Sequence, residues 1–200
     1  MLIFYFAPGS SSMATHIALH ETGAEFEPRL LSFKVKEQQR PDYLAVNPEG
    51  KVPALVIDGK RALTEVAATL YFLAKTYPQA GLWSPGGVAE EAQAISWMSF
   101  IAATVHPARR AGEDAWRGVF RLCEQRLGGK EWAVGGAYSI ADIHLFRLFW
   151  RFVDALGPDH ASYPGMMAHY ERIMARPAVK KTIEIESTIG YEFPRGAGTR

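Results

Sequence analysis

The chain has 200 residues and a mass of 22.2 kDa, 48% hydrophobic and 22% charged, enough for one large or two small packed domains. Its 22 basic and 21 acidic residues leave a net charge of +1, and the balance holds on both sides of Pro78, with 8 and 8 before it and 14 and 13 after it. Neither half has the basic footprint of a nucleic-acid binder, and one cysteine, Cys123, excludes an internal disulfide framework and a cysteine-cluster metal site.

Leu2 to Phe6 is a continuous apolar run and predicts a strand buried on both faces. It is too short to span a membrane and has no basic leader region. Pro8-Gly9 breaks it. Ser10, Ser11 and Ser12 then precede a helical run over 13–20 as N-cap candidates, and Gly23 is the stop signal. Residues 26–32 read as a second strand, 42–47 as a short helix closed by Asn47-Pro48-Glu49-Gly50, and 52–57 as a third strand. Asp58-Gly59 is a two-residue hairpin turn, and 61–63 a short fourth strand. Thr64-Glu65 opens a helix to about Tyr77, which completes an α+β unit of order βαβαββα over residues 1–78.

The segment 79–87 has the glycine and proline content of a linker, and 88–200 reads as an all-helical domain. There Ala94, Trp97, Met98, Ile101, Ala102 and Val105 recur at helical spacing, and further helices fall at about 113–127, 139–155, 162–175 and 177–186. Ser139-Ile140-Ala141-Asp142 marks a helix start as a capping box with an acid at its fourth position. The Gly, Pro and Arg content of the tail, 188–200, favours mobility, while Tyr191 and Phe193 could pack and cover the cleft. No apolar run reaches the length of a transmembrane helix, so a cytoplasmic protein without membrane or nucleic-acid partners is expected.

Three places could carry chemistry. Val52-Pro53 opens a strand with a residue that cannot donate to the ladder. A trans bond is the commoner state; a cis bond would leave the Val52 backbone groups facing outward to pair with an extended peptide. If Thr64 caps the next helix, Glu65 and Val66 lie in its first turn, where unpaired N–H groups attract a carboxylate and Glu65 can hold an ammonium. Alternatively Glu65 only complements the helix dipole. The serine run sits where a hydroxyl and a helix end together can stabilise a thiolate, or it is plain capping. His16 and His20 share a helix face without a third ligand, and His106 precedes a helix-kinking Pro107; a partly buried polar role for His106 is the commoner outcome, a turn toward a cleft the alternative. No metal-binding, triad or phosphate-loop motif occurs, so no metal is expected.

Four motifs in order resemble the glutathione transferase superfamily: Asn47-Pro48-Glu49-Gly50-Lys51-Val52-Pro53-Ala54-Leu55, Leu63-Thr64-Glu65, Ser139-Ile140-Ala141-Asp142, and Arg172 through Arg176-Pro177-Ala178-Val179. The opening, Phe4-Tyr5 through Pro8-Gly9-Ser10-Ser11-Ser12 to His16-Ile17-Ala18-Leu19, is most similar to the bacterial beta class. The resemblance implies a thioredoxin-like domain, a helical domain, a homodimer, glutathione as co-substrate and a cis Pro53. It places glutathione along Val52 and Pro53, with its γ-glutamyl end at Glu65 and Val66. Ser10, Ser12, Lys36 and Lys51 are implied as further contacts. The catalytic set it implies is Ser11, with Tyr5 nearby and His106 beside a small apolar electrophile near Trp97, Phe100 or Tyr163.

The sequence departs from the beta class where Ser11 aligns with the family's cysteine, which disfavours chemistry through an enzyme mixed disulfide. It also departs at Val66, where a hydroxyl is common. The expected activity is attack of the glutathione thiolate on an electrophile. The alternatives are a non-catalytic glutathione or ligand carrier and a glutathione-dependent peroxidase or reductase.

Overall fold

The computed structural model describes residues 1–83 and 86–192; Ser84 and Pro85 of the expected linker and 193–200 of the expected mobile tail lie outside the described residues. By contact the chain divides into two units. The first holds Met1–Ala80 together with the last helix, and the second begins at Gly81 and runs to Arg176.

In the first unit, β1 (Leu2–Phe6), β2 (Phe26–Leu30), β3 (Ala54–Ile57) and β4 (Arg61–Thr64) form one sheet in the order β2-β1-β3-β4. β1 runs parallel to β2 and antiparallel to β3, and β3 and β4 form the hairpin expected around Asp58-Gly59. Side chains alternate across the pleat: Leu2, Phe4 and Phe6 are buried, whereas Ile3 and Tyr5 are half-buried. Phe4 and Phe6 meet α1 (Ser12–Thr22) through His16. Tyr5 packs on a cluster of Ala7, Leu31, Tyr43, Val52 and Ala54, to which α2 (Pro41–Leu44) contributes Tyr43. α3 (Val66–Thr76) buries Leu70 and Leu73 and is tied to α1 by a 2.7 Å bond between the Thr15 and Thr69 hydroxyls. Gly23 ends α1 at φ 66, the left-handed conformation that glycine adopts without strain.

The second unit is helical: α4 (Val88–Phe100), a π-helical turn at Ile101–Val105, α5 (His106–Ala108), α6 (Glu113–Leu127), α7 (Ile140–Leu156) and α8 (Pro164–Met174). The turn of wider helix ends directly before His106-Pro107, where proline removes a donor from the helical ladder. α7 is the core helix. Both bonds of its capping box form, and Asp142 also accepts from Ala133 N–H at 2.7 Å and from the His169 ring at 2.9 Å. Trp97 and Tyr163, expected beside an electrophile, are instead core residues. Trp97 is stacked under Arg126, and Tyr163 packs edge-on against Phe149 and Phe152 while its hydroxyl donates to Arg117 C=O.

α9 (Pro177–Ile189) packs along α1 and belongs to the first unit, although sequence patterning placed it with the helical half. Its buried face is Ala178, Val179, Thr182 and Glu186.

Candidate active site

The Asn47–Gly50 turn is built to deliver residue 52. Asn47 Oδ1 accepts from Glu49 N–H at 3.1 Å, while Asn47 Nδ2 and the Tyr43 hydroxyl both donate to Lys51 C=O, at 2.7 and 2.5 Å. Gly50 sits at φ 60 with the Gln38 carbonyl 2.9 Å from where a β-carbon would lie, so no other residue fits there without a shift. Burial, with Tyr5 adding to it, pushes the Tyr43 hydroxyl up to about 12, so it stays a neutral donor. The Val52–Pro53 bond is cis, as the family resemblance implied and against the commoner state for such bonds. Val52 precedes the first ladder residue of β3, Ala54, which pairs with Tyr5 and Thr64.

The three serines divide cleanly. Ser12 is fully buried; its hydroxyl accepts from Ala7 N–H, lies 3.2 Å from Ala7 C=O, and is 2.7 Å from the Ser10 hydroxyl. Ser10 is also buried and accepts from Ser12 N–H. Both were expected to contact a ligand and are instead turned into the loop that carries them, because a tight turn after Pro8-Gly9 needs those backbone groups satisfied. Ser11 is half-buried, and its hydroxyl donates to Val52 C=O at 2.8 Å. It stands at the N-cap position of α1 but makes no side-chain cap. Met13 N–H and Ala14 N–H already bond to the Ser10 and Ser11 carbonyls, and Ser12 N–H to the Ser10 hydroxyl. The helix end therefore offers an anion mainly its dipole, and the Ser11 hydroxyl is the side-chain donor at the Val52 edge.

Glu65, not Thr64, is the residue before α3; Thr64 ends β4. Glu65 is exposed and adopts φ 67, ψ 129, a conformation that costs a non-glycine residue about 1–3 kcal/mol and that clusters at ligand sites. Its carbonyl accepts from Thr69 N–H, and Val66, buried, opens the helix. The Thr15–Thr69 bond fixes the start of α3 against α1, and so ties the Glu65 corner to the helix that Ser11 heads.

The other expected residues are more peripheral. Tyr5 lies 5.3 Å, ring to ring, from Tyr43 and walls a crevice with Arg29, Glu37 and Arg40. Lys36 is exposed at φ 55 ahead of the turn Glu37–Gln39, and Lys51 is exposed in a 2.7 Å ion pair with Glu49. His106, exposed, belongs to the second unit and is not part of the set assembled in the first. Within that second unit burial, with His106 and Arg147 adding to it, holds the His144 ring down at about 3. Cys123 is buried, and burial pushes its thiol up to about 12, which removes it as a nucleophile. Among the described residues no cluster of His, Cys, Asp or Glu could hold a metal, and no helix is long and apolar enough to cross a membrane.

Sequence patterning missed one group. Glu186 of α9 is fully buried and reaches the Gly9 backbone; the available signal was an acid on the same helical face as Ala178, Val179 and Thr182.

Comparison with known proteins covers both halves of the chain. The glutathione S-transferase N-terminal domain matches residues 1–75, and the glutathione S-transferase C-terminal domain matches 92–177. Glutathione S-transferase GST-4.5 of Xanthomonas campestris is 31% identical over 202 residues, covering 91% of this chain and 97% of the relative. A sphingomonad glutathione S-transferase solved in complex with glutathione superposes with a TM-score of 0.81 at 32% identity, over 92% of this chain and 98% of that one. The bacterial beta class enzyme of Sphingomonas chungbukensis superposes with a TM-score of 0.80 at 34% identity, with the same coverage of both chains.

Proposed function

The chain belongs to the glutathione S-transferase family, and from that premise and the geometry at Val52 we infer that it binds glutathione in extended form and activates its thiol with Ser11. The cysteinyl residue of glutathione pairs with the Val52 backbone as a one-residue strand. Its γ-glutamyl ammonium meets Glu65, and the adjacent carboxylate lies at the start of α3 beside Val66. The observation that carries the reading is the 2.8 Å bond from the Ser11 hydroxyl to Val52 C=O. It puts a donor beside the carbonyl that a cysteinyl N–H would use, and so beside the sulfur attached to the same residue.

On binding, the Ser11 hydroxyl turns from the Val52 carbonyl to the sulfur and stabilises the thiolate. The thiol proton leaves to solvent. The thiolate then forms a carbon–sulfur bond to a small apolar electrophile, whose leaving group departs with the bonding pair. A serine cannot form the mixed disulfide that a cysteine would, so conjugation is the favoured reaction. His106 is proposed to act on the electrophile, and the working form is proposed to be a cytoplasmic homodimer.

Calorimetry with glutathione, followed by a conjugation assay on an activated aryl halide, tests this. Saturable binding and turnover are expected. Binding without turnover would make the protein a carrier, and absence of saturation at millimolar glutathione would overturn the reading.

A further inference from the structure

We propose that Glu186 is a positioning residue for the loop that presents Ser11, an inference that rests on the thiol-activating role given to Ser11 above. Glu186 is fully buried, and its two carboxylate oxygens serve the two ends of one structural joint. Oε2 accepts from Gly9 N–H at 2.7 Å, in the loop before α1. Oε1 lies 2.9 Å from His16 Nδ1, within α1 itself. One carboxylate therefore locks the loop to the helix, and rotation of either breaks a bond.

The rest of the C-terminal segment supports the same point. Thr182 Oγ1 lies 3.0 Å from His20 Nδ1, one turn further along the docked helices. The Tyr191 ring covers Gly9, which sits at φ 68; a β-carbon there would come within 2.7 Å of Tyr191 Cδ1. Glu192 accepts from Lys34 N–H at 2.8 Å. Burial alone would raise the Glu192 carboxyl, but that bond and those from Ser32 and Phe33 hold it below the usual range. Gly9, two residues before Ser11, is thus bonded by Glu186 and packed by the Tyr191 ring. Burying a carboxylate is costly unless it is fully bonded. For packing α9 on α1 alone, an apolar residue at position 186 would suffice. What the carboxylate adds is a fixed Gly9 amide.

The test uses the full chain with Glu186→Ala and Glu186→Gln. Three readouts are needed: kcat and KM for glutathione, the ultraviolet thiolate band of the glutathione complex against pH, and amide exchange over residues 9–12 by mass spectrometry. For E186A we expect kcat to fall about tenfold, the thiolate titration to move up by about one pH unit, and KM to change by less than about threefold. Exchange over 9–12 should accelerate. E186Q, which keeps an acceptor for Gly9 N–H, should recover most of the loss. Parental kcat and titration in folded E186A would overturn the proposal, as would unaltered exchange or an E186Q as impaired as E186A. If E186A does not fold, Tyr191→Ala removes the other support. A drop in kcat of about threefold at unchanged KM is then expected, and parental kcat would overturn the proposal. A parent with no thiolate band defeats the role of Ser11 itself and this inference with it, whereas a normal parental band with unaltered exchange in E186A defeats the inference alone.

Discussion

Replacing Ser11 by alanine removes one hydroxyl and leaves the Val52 edge, the Glu65 corner and α1 in place. A free thiol ionises at about 8.5. A hydrogen bond to a charged acceptor contributes about 1.5–3 kcal/mol, which at about 1.4 kcal/mol per unit lowers the bound thiol by about one to two units. The helix end adds about 0.3–1 kcal/mol, at the low end of its range because the first-turn N–H groups at 12, 13 and 14 are already bonded. The parent complex should therefore titrate at about 6–7 and Ser11→Ala at about 8. At about pH 6.5 the thiolate fraction, and with it kcat, should fall by about 10–30-fold. The affinity for glutathione should change far less, since backbone pairing and the ammonium contact persist. The assay is the ultraviolet thiolate difference spectrum of the binary complex across pH, alongside steady-state conjugation. Parental titration and kcat in the variant would refute the reasoning. Ser10 and Ser12 could not be invoked in its place, because both are buried and bonded within their own loop.

Three further outcomes follow from particular residues. Glu65→Gln should raise KM for glutathione by about tenfold or more with kcat nearly unchanged, because an ammonium contact made equally in ground and transition states is lost; steady-state kinetics check it. Asp142→Ala removes the acceptor shared by Ser139, Ala133 and His169 in a fully buried place, so urea denaturation should show a loss of at least about 3 kcal/mol, with Asp142→Asn milder. His144→Leu tests the acid limb. The folded ring titrates at about 3 against 6.5 when unfolded, so the unfolded state binds the extra proton between those values. Stability is unaffected above about pH 6.5 and declines as pH falls toward 3; at about pH 5 the penalty is about 2 kcal/mol. H144L should lose that part of the decline, and an unchanged slope of stability against pH would refute the assignment.

What could be read in advance was what is encoded locally. The Ser139–Asp142 box, the Asp58-Gly59 hairpin and the Gly23 stop each depend on residues within a few positions, and each forms where its pattern lies. The Asn47–Gly50 turn is equally local, and its purpose shows in the bonds to Lys51 C=O that deliver Val52. Capping at Thr64 failed for a different reason. The backbone at Glu65 takes a positive φ that no propensity favours, and only the meeting of β4 with α3 imposes it. Trp97 and Tyr163 were placed beside an electrophile by the family resemblance, which carries no information on how deeply this chain buries them in its own helical core. Glu186 was the hardest to see, since its partners Gly9 and His16 lie 177 and 170 positions away.

With the thiol-activating role proposed for it, Ser11 also bears on which reaction the site supports. A cysteine there would hold glutathione as a disulfide and pass electrons between thiols. A hydroxyl has no comparable redox couple, so electrons can leave the site only in a new bond to glutathione sulfur. Conjugation needs nothing more than an electrophile with a leaving group. Peroxide reduction needs a second glutathione, whose thiol attacks the sulfenic acid formed on the first to give glutathione disulfide and water. Cys123 cannot resolve that sulfenic acid, being buried with its thiol held at about 12. A glutathione mixed disulfide found on the chain during hydroperoxide turnover would therefore contradict the site as built, because it would demand a reactive enzyme thiol, and Cys123 is buried.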